Sequence, residues 1–324
     1  MTAPAIGVSD LVVEYRSSKG SIRAVDGLDL TVESGEVYAL LGENGAGKTS
    51  ALEVIEGHRR RQSGRVEVLG IDPAATGRDR RELRDQIGIV LQASGIEPEI
   101  TPREALRLFG SAYRNPRSID EVVKLVDLQE FVDQRVGILS GGQRRRLDLA
   151  VAVIGRPKVL FLDEPTTGFD PSARRKAWEL ISTVRTDGTT ILLTTHYLEE
   201  AEFLADRVGV ISSGRMLVEG SPRDLQRAHG KSVMSVDISG ADSGVDEGFR
   251  GGVTRALEGV VHEVEWTGTR VRITSSDTTA VLERLTMWAA SSGVSLSEWS
   301  IERPSLEQVF LSLGSGDVEV GSDG

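Results

Sequence analysis

The chain contains no cysteine, which excludes disulfides and thiolate-based metal or redox chemistry and fits a reducing compartment. It also lacks any apolar run approaching the roughly 18 residues that a membrane-spanning helix needs. Its N-terminal stretch MTAPAIGVSD has neither the basic nor the apolar region of a secretory signal. Positive charge is in deficit: 38 Lys and Arg stand against 49 Asp and Glu, a formal net charge of −11. That field opposes a general affinity for nucleic acid or anionic membrane. Any membrane role therefore falls to a partner. What is present is an ordinary globular balance, 39% hydrophobic and 27% charged in 324 residues, enough for two domains.

Residues 1–40 read as strands: LVVEY at 11–15, IRAVDGLDLTV at 22–32 and the apolar run VYALL at 37–41. The last feeds a Gly-rich loop and a helix near 48–57. A strand pair is expected next, RVEVLG and then IGIVLQ ending at Gln92. Residues 101–134 look helical. Thr101-Pro102-Arg103-Glu104 combines a cap, Pro at the first helical position and Glu at the third, and Ser118 to Glu121 repeats the spacing. From 140 onward apolar strands (VLFLD at 159–163, TILLTT at 190–195, VGVIS at 208–212) alternate with helices at 171–186 and 197–205. That alternation predicts a mostly parallel sheet covered on both faces. After His229 the composition shifts. Residues 239–252 read as a mobile connection, followed by strand-like VHEVEW and RVRITS, a helix at 278–291, strand-like SLSEWSI and a short capped helix from Ser305. The tail from 314 to 324 reads as disordered.

Chemistry concentrates in a few places. Gly42-Glu43-Asn44-Gly45-Ala46-Gly47-Lys48-Thr49, followed by Ser50, lies between a strand and a helix and fits the phosphate-loop pattern. The glycines free backbone amides to surround phosphates, Lys48 reaches the β and γ groups, and the Thr49 hydroxyl ligates Mg²⁺. Asp163-Glu164 ends the apolar strand VLFL, where Asp163 is placed to hold Mg²⁺ and Glu164 to deprotonate an attacking water. A second phosphate-binding device is Leu139-Ser140-Gly141-Gly142-Gln143. Ser140 would cap the helix that follows, and the two glycines would bare its first amides to an anion. Two phosphate-binding helix ends for one nucleotide imply a site shared between two molecules.

In this order the motifs resemble the nucleotide-binding subunit of an ABC transporter over roughly residues 6–229: Tyr15, GENGAGKT, Gln92, LSGGQ, VLFLDE, PTTGFDP ending in Asp170-Pro171, and His196. The resemblance implies an α/β P-loop NTPase fold. Its parts would be a parallel core with an N-terminal antiparallel β subdomain and a helical subdomain at about 93–140, together spanning 1–230. A small α+β accessory domain would follow at 231–313. It implies ATP and Mg²⁺ as ligands, Tyr15 stacking on adenine, and Gln92 sensing Mg²⁺ and the attacking water while facing a membrane subunit. Ser140 and Gly142 would touch the γ-phosphate held by the opposite monomer. Asp170 would cross the dimer interface, and His196 would contact the γ-phosphate. Taken singly, Tyr15 also suits a strand aromatic, Asp170 a helix cap and His196 a strand end.

EPEITPREALRLFGSAY, RRRLDLAVAVIGRPKVLFLDEPTTGFDP, TTHYLEEAEFLADRV and PSLEQVFLSL resemble the ABC-2 type exporter ATPases of the daunorubicin-resistance type. This implies an ATPase energising export of a drug-like, lipid or other hydrophobic compound. Its partners would be a separate ABC-2 permease at the cytoplasmic face of the membrane and a second copy or paralogue of the ATPase, with no nucleic acid. An importer ATPase is the nearer alternative, and a soluble ABC ATPase acting on nucleic acid or ribosomes the more distant one. Two arginine runs stay open. Arg59-Arg60-Arg61 either closes a helix dipole or binds elsewhere, and Arg144-Arg145-Arg146 faces either its own fold or another molecule's triphosphate or acidic surface. The 231–300 appendage is either a packing or dimer-stabilising module or a ligand sensor.

Overall fold

The structure, a computed structural model, describes residues 3–17, 20–91, 95–185, 188–229, 231–239, 247–302 and 305–314. It comprises two compact units, Met1–Pro222 and Arg223–Gly324. No helix among the described residues is long and apolar enough to cross a membrane.

The first unit opens with the antiparallel strands β1 (Ile6–Ser17) and β2 (Gly20–Val32). The chain then leaves through β3 (Val37–Leu41) and α1 (Lys48–Ile55) before β4 (Ser63–Val68) returns to pair with β1. Ile6, Val8, Leu11, Val25 and Leu28 of this small sheet share one buried cluster with Ala51, Leu52 and Ile55 of α1. After α2 (Gly77–Arg84) comes β5 (Ile87–Val90). RVEVLG and IGIVLQ therefore do not form a pair: β4 belongs to the antiparallel sheet and β5 to the edge of the second.

The helical segment holds α3 (Pro102–Gly110) and α4 (Ile119–Leu125). Thr101 accepts from the Glu104 amide while the Glu104 carboxylate accepts from the Thr101 amide, a complete capping box. Such caps contribute about 1 kcal/mol to a helix. Next come α5 (Gly141–Val153), β6 (Val159–Asp163), α6 (Pro171–Arg185), β7 (Thr190–Thr195), α7 (Leu198–Leu204), β8 (Arg207–Ser212) and β9 (Arg215–Gly220). The second sheet runs β5-β6-β7-β3-β8-β9, parallel through β8, with β9 added antiparallel at the edge. Every residue of β3, β6 and β7 is buried, as helices on both faces of a parallel sheet require. The α5 backbone lies against β5 so closely that a Cβ on Gly88 would come within 2.2 Å of the Ala152 carbonyl oxygen.

Register places the chemistry. Leu41 pairs with Thr195 and Asp163 with Thr194, so β3, β6 and β7 end side by side. Gly42, Glu164 and His196 each follow one of these carboxyl ends, where open parallel sheets bind ligands.

The second unit continues from α8 (Pro222–His229), which begins at the junction, into β10 (Ser232–Ser239), α9 (Glu247–Ala256), β11 (Glu263–Thr267), β12 (Arg270–Ser275), α10 (Thr278–Ser292), β13 (Ser295–Glu302) and α11 (Leu306–Gly314). Its sheet is antiparallel in the order β11-β12-β10-β13, with Met234, Val236, Val271 and Ile273 buried among Val253, Leu257, Val281 and Leu285. Of the expected mobile connection, residues 247–252 instead form the start of α9. Packing explains this: Phe249 meets Trp288 edge-on at 5.0 Å and Trp266 at 6.5 Å. A Cβ on Gly252 would sit 3.1 Å from Trp288 Nε1, so a residue that weakens the helix also makes room for the tryptophan. Residues 240–246, and the tail from 315 onward, lie outside the described residues.

Candidate functional site

The loop between β3 and α1 owes its shape to glycine. Gly47 caps α1 at φ +106°, and a Cβ there would come within 2.3 Å of the Ala24 carbonyl oxygen. A Cβ on Gly42 would lie 2.4 Å from the Ile211 carbonyl oxygen. At Gly47 only glycine satisfies both the left-handed backbone and the close approach, and at Gly42 the close approach alone excludes a side chain. Lys48, 4% exposed, bends back so that Nζ donates to the carbonyls of Gly42 at 2.8 Å and Glu43 at 3.0 Å.

Across from the loop, Thr49 Oγ1 donates to Asp163 Oδ1 at 3.2 Å, and Thr194 Oγ1 donates to the same oxygen at 2.6 Å. A hydroxyl of α1 and a carboxylate of β6 thus converge, a hard-oxygen pair suited to a divalent cation that keeps most ligands for water and phosphate. Glu164 adopts φ +44°, a backbone conformation costing a non-glycine residue about 1–3 kcal/mol. Its Oε2 accepts from Thr167 Oγ1 at 3.0 Å, and Oε1 lies 3.5 Å from Lys48 Nζ. His196 Nδ1 is 3.3 Å from Glu164 Oε2, off the hydrogen-bond direction. Burial raises the Glu164 pKa, but Thr167, Lys48 and His196 more than offset this and hold the carboxyl below the usual glutamate value.

An open cleft of about 540 Å³ is lined by Ala24, Asn44, Gly45, Gly47, Lys48, Thr49, Ser50, Glu164, Thr167 and His196. Tyr15 joins its margin through a 2.8 Å hydrogen bond between its hydroxyl and Ser50 Oγ, with the Arg59 guanidinium 4.4 Å from its ring centre. Gln92 lies outside the described residues.

Ser140, Gly141, Gly142, Gln143 and Asp170 do not line this cleft. Ser140 caps α5: its Oγ accepts from the Gln143 amide at 3.3 Å, and Gln143 Oε1 accepts from the Ser140 amide at 2.7 Å. A Cβ on Gly141 or Gly142 would meet nothing within 4 Å, so this helix end is open. Asp170 caps α6, its Oδ1 accepting from the amides of Ser172 and Ala173 at 2.9 and 3.0 Å.

Several arginines of the two runs find partners within the chain, while Arg60 and Arg144 stay exposed. Arg59 pairs with Glu53 at 2.5 Å and Arg61 with Asp72 at 2.6 Å, and both follow α1 rather than belonging to its last turn. Arg144 Nε donates to the Leu139 carbonyl and Arg146 Nη1 to Asp127 at 2.7 Å. Arg145 is surrounded by main-chain carbonyls. Arg145 and Arg146 are thus engaged by their own chain, and Arg144 stays exposed beside the pentapeptide. For the largely buried Arg145 guanidinium, whose desolvation costs free energy unless its donors are met, these carbonyls supply the partners.

Residue patterns gave no sign of Thr194 or Thr167, which hold Asp163 and Glu164, nor of Glu200. The Glu200 side chain is fully buried. Its Oε1 accepts from Thr166 Oγ1 at 2.8 Å and Trp178 Nε1 at 2.9 Å, linking the turn after β6 to α6 and α7. A fully buried Glu two residues into a helix is a signal only once burial is known.

The ABC transporter family model matches residues 25–167. The chain is 39% identical over 305 residues to a daunorubicin resistance ATP-binding protein of Streptomyces coeruleorubidus, covering 91% of each. It is 39% identical to a Nod factor export ATP-binding protein I of Rhizobium sp. strain N33, covering 94% of this chain and 96% of that one. A linearmycin resistance ATP-binding protein of Bacillus subtilis strain 168 is 30% identical, with 92% and 96% covered. Among solved structures, a dimeric ATP-binding cassette in a post-hydrolysis state bound to ADP and Pi superposes with a TM-score of 0.61 at 25% identity, covering 67% of this chain and 98% of that one. Shared along nearly its whole length with such relatives, and built on the same cassette fold, the chain belongs to the ABC transporter family, among the ATP-binding subunits of the daunorubicin-resistance type of ABC-2 exporters.

Proposed function

We propose that the chain is the ATP-hydrolysing subunit of an ABC-2 type export system, working as a head-to-tail pair of ATPases beneath a separate membrane permease. The observation that carries this reading is a division. The phosphate loop, Glu164 and His196 line one cleft, whose Thr49 hydroxyl bonds Asp163, while the open α5 N-terminus at Ser140–Gln143 does not line it. Two copies facing each other would bring the second helix end to the first copy's nucleotide.

In this reading residues 1–230 carry the ATPase and 231–313 an accessory domain. Tyr15 receives the adenine. The amides of residues 42–49 and Ser50, with Lys48, bind the phosphates. Thr49, Asp163 and Gln92 would hold Mg²⁺, which neutralises phosphate charge. Glu164 accepts a proton from the water that attacks the γ-phosphorus as the bond to the ADP oxygen breaks, giving ADP and phosphate. Its depressed pKa keeps it deprotonated for that task, and His196 holds the γ-phosphate. Ser140, Gly141, Gly142, Gln143 and Asp170 act on the opposite copy. Leu108 and Phe109, exposed on α3, offer apolar surface for the permease at the cytoplasmic face. The relatives named for daunorubicin resistance, linearmycin resistance and Nod factor export support export as the task, with a drug-like, lipid or other hydrophobic compound as cargo.

The test is Glu164→Gln incubated with Mg-ATP. The reading expects retained ATP binding, loss of most turnover and a stable dimer in analytical ultracentrifugation. Wild-type hydrolysis by that variant would overturn it.

A further inference from the structure

We infer that Arg145 is a positioning residue for hydrolysis, holding in place the turn that carries Glu164. The inference rests on the proposed role of Glu164 as the base.

The Arg145 guanidinium spends its donors on main-chain oxygens. Nε donates to the Pro165 carbonyl at 2.9 Å, and Nη2 donates to those of Asp163 and Glu164 at 3.2 and 3.4 Å. Nη1 donates to the Leu91 carbonyl just past β5. The nearest carboxylate, Asp148 one turn along α5, lies 3.8 Å away. Successive carbonyls of an extended strand point in alternate directions. Three in a row can meet one group only if the strand breaks, and it breaks at Glu164, whose φ is +44°. A planar fork with five N–H donors can hold such a set; a single ammonium cannot.

The placement is otherwise unfavourable. Arg145 is the fifth residue of α5, where the helix dipole opposes a cation, and its side chain is only 13% exposed. Burial also pushes its pKa down. What the arginine supplies in return is a fixed main chain under the carboxylate, joined to α5 and to the end of β5. Because Ser140 caps α5, a movement of the pentapeptide helix is transmitted through Arg145 to the turn bearing Glu164.

The test measures steady-state ATP hydrolysis by Arg145→Lys and Arg145→Gln, beside wild type and Glu164→Gln. Rates are normalised to the protein that binds a fluorescent ATP analogue. We expect KM for ATP within about twofold of wild type and kcat lower by on the order of 10²-fold, the effect of an ångström-scale misplacement of a catalytic group. Lys, which keeps the charge, should not rescue. A kcat within about twofold of wild type in Arg145→Lys, with Glu164→Gln inactive, overturns the inference while leaving the role of Glu164 intact. Full activity of Glu164→Gln overturns both. Loss of nucleotide binding in both Arg145 variants also overturns it, since the residue would then support only the fold.

Discussion

Lys48 Nζ lies 3.5 Å from Glu164 Oε1, with 4% and 10% of the two side chains exposed. An ion pair shut away from water thus joins the loop after β3 to the turn after β6. Removing one partner strands the other charge. Lys48→Met and Glu164→Gln should each lower stability, and the double variant should lose less than their sum. We expect a coupling of about 1–2 kcal/mol in urea unfolding without nucleotide. Additive losses would show that the two charges are independent.

Gly45 and Gly47 separate backbone strain from collision. Both have positive φ, +85° and +106°, but only at Gly47 would a Cβ strike main chain. Gly45→Ala should cost about 1 kcal/mol, and Gly47→Ala roughly twice that or more as α1 and Ala24 move apart. Thermal unfolding measures the difference, and equal losses would mean that the loop yields freely at Ala24.

Glu200 gives a pH test. Burial raises its pKa above the usual 4.5, so the stability tied to its protonated form is complete below about pH 4.5 and is lost as pH rises through the raised value. Glutamine does not titrate. The stability of Glu200→Gln relative to wild type should therefore climb as pH rises above the ordinary glutamate value of 4.5. Glu200→Ala, which leaves the Thr166 and Trp178 donors unmet, should lose roughly 2–4 kcal/mol. A difference between Gln and wild type that stays flat with pH would place the ordinary pKa at this site.

Ser140→Arg removes the α5 cap and puts bulk at the open helix end. Turnover should disappear while ATP binding by the isolated chain stays at the wild-type level. If binding falls as far as it does in Lys48→Ala, Ser140 serves its own chain's nucleotide and the two-copy site is wrong.

How much of this was legible in the sequence depends on where the information resides. β3, β6 and β7 stand out because burial on both faces demands unbroken apolar runs. The loop at 42–49 stands out because positive φ and main-chain contact admit only glycine at set positions. β9 was not expected, since RMLVEG alternates half-exposed and exposed positions at a sheet edge. Nor was β10, whose Ser235 is buried alongside Val233, Met234 and Val236 and blurs any alternation. α9 defied its glycines because tryptophan packing outweighs propensity. Arg145 was recognisable only as a charge in a run of three. Its partners are carbonyl oxygens, which every residue possesses, so no residue type announces them.

The capping box at Ser140 has a final consequence. A serine hydroxyl is ambidextrous, able to give or take a hydrogen bond as it spins about its C–O axis. Here one lone pair is claimed by the Gln143 amide, and the amide of Ser140 itself is claimed by the Gln143 side chain. With that lone pair taken, the hydroxyl keeps its hydrogen to donate. Gln143 thereby tilts the polarity of the helix end: an acceptor-only group such as a phosphate oxygen can be met by the Ser140 hydroxyl as a donor without giving up the cap.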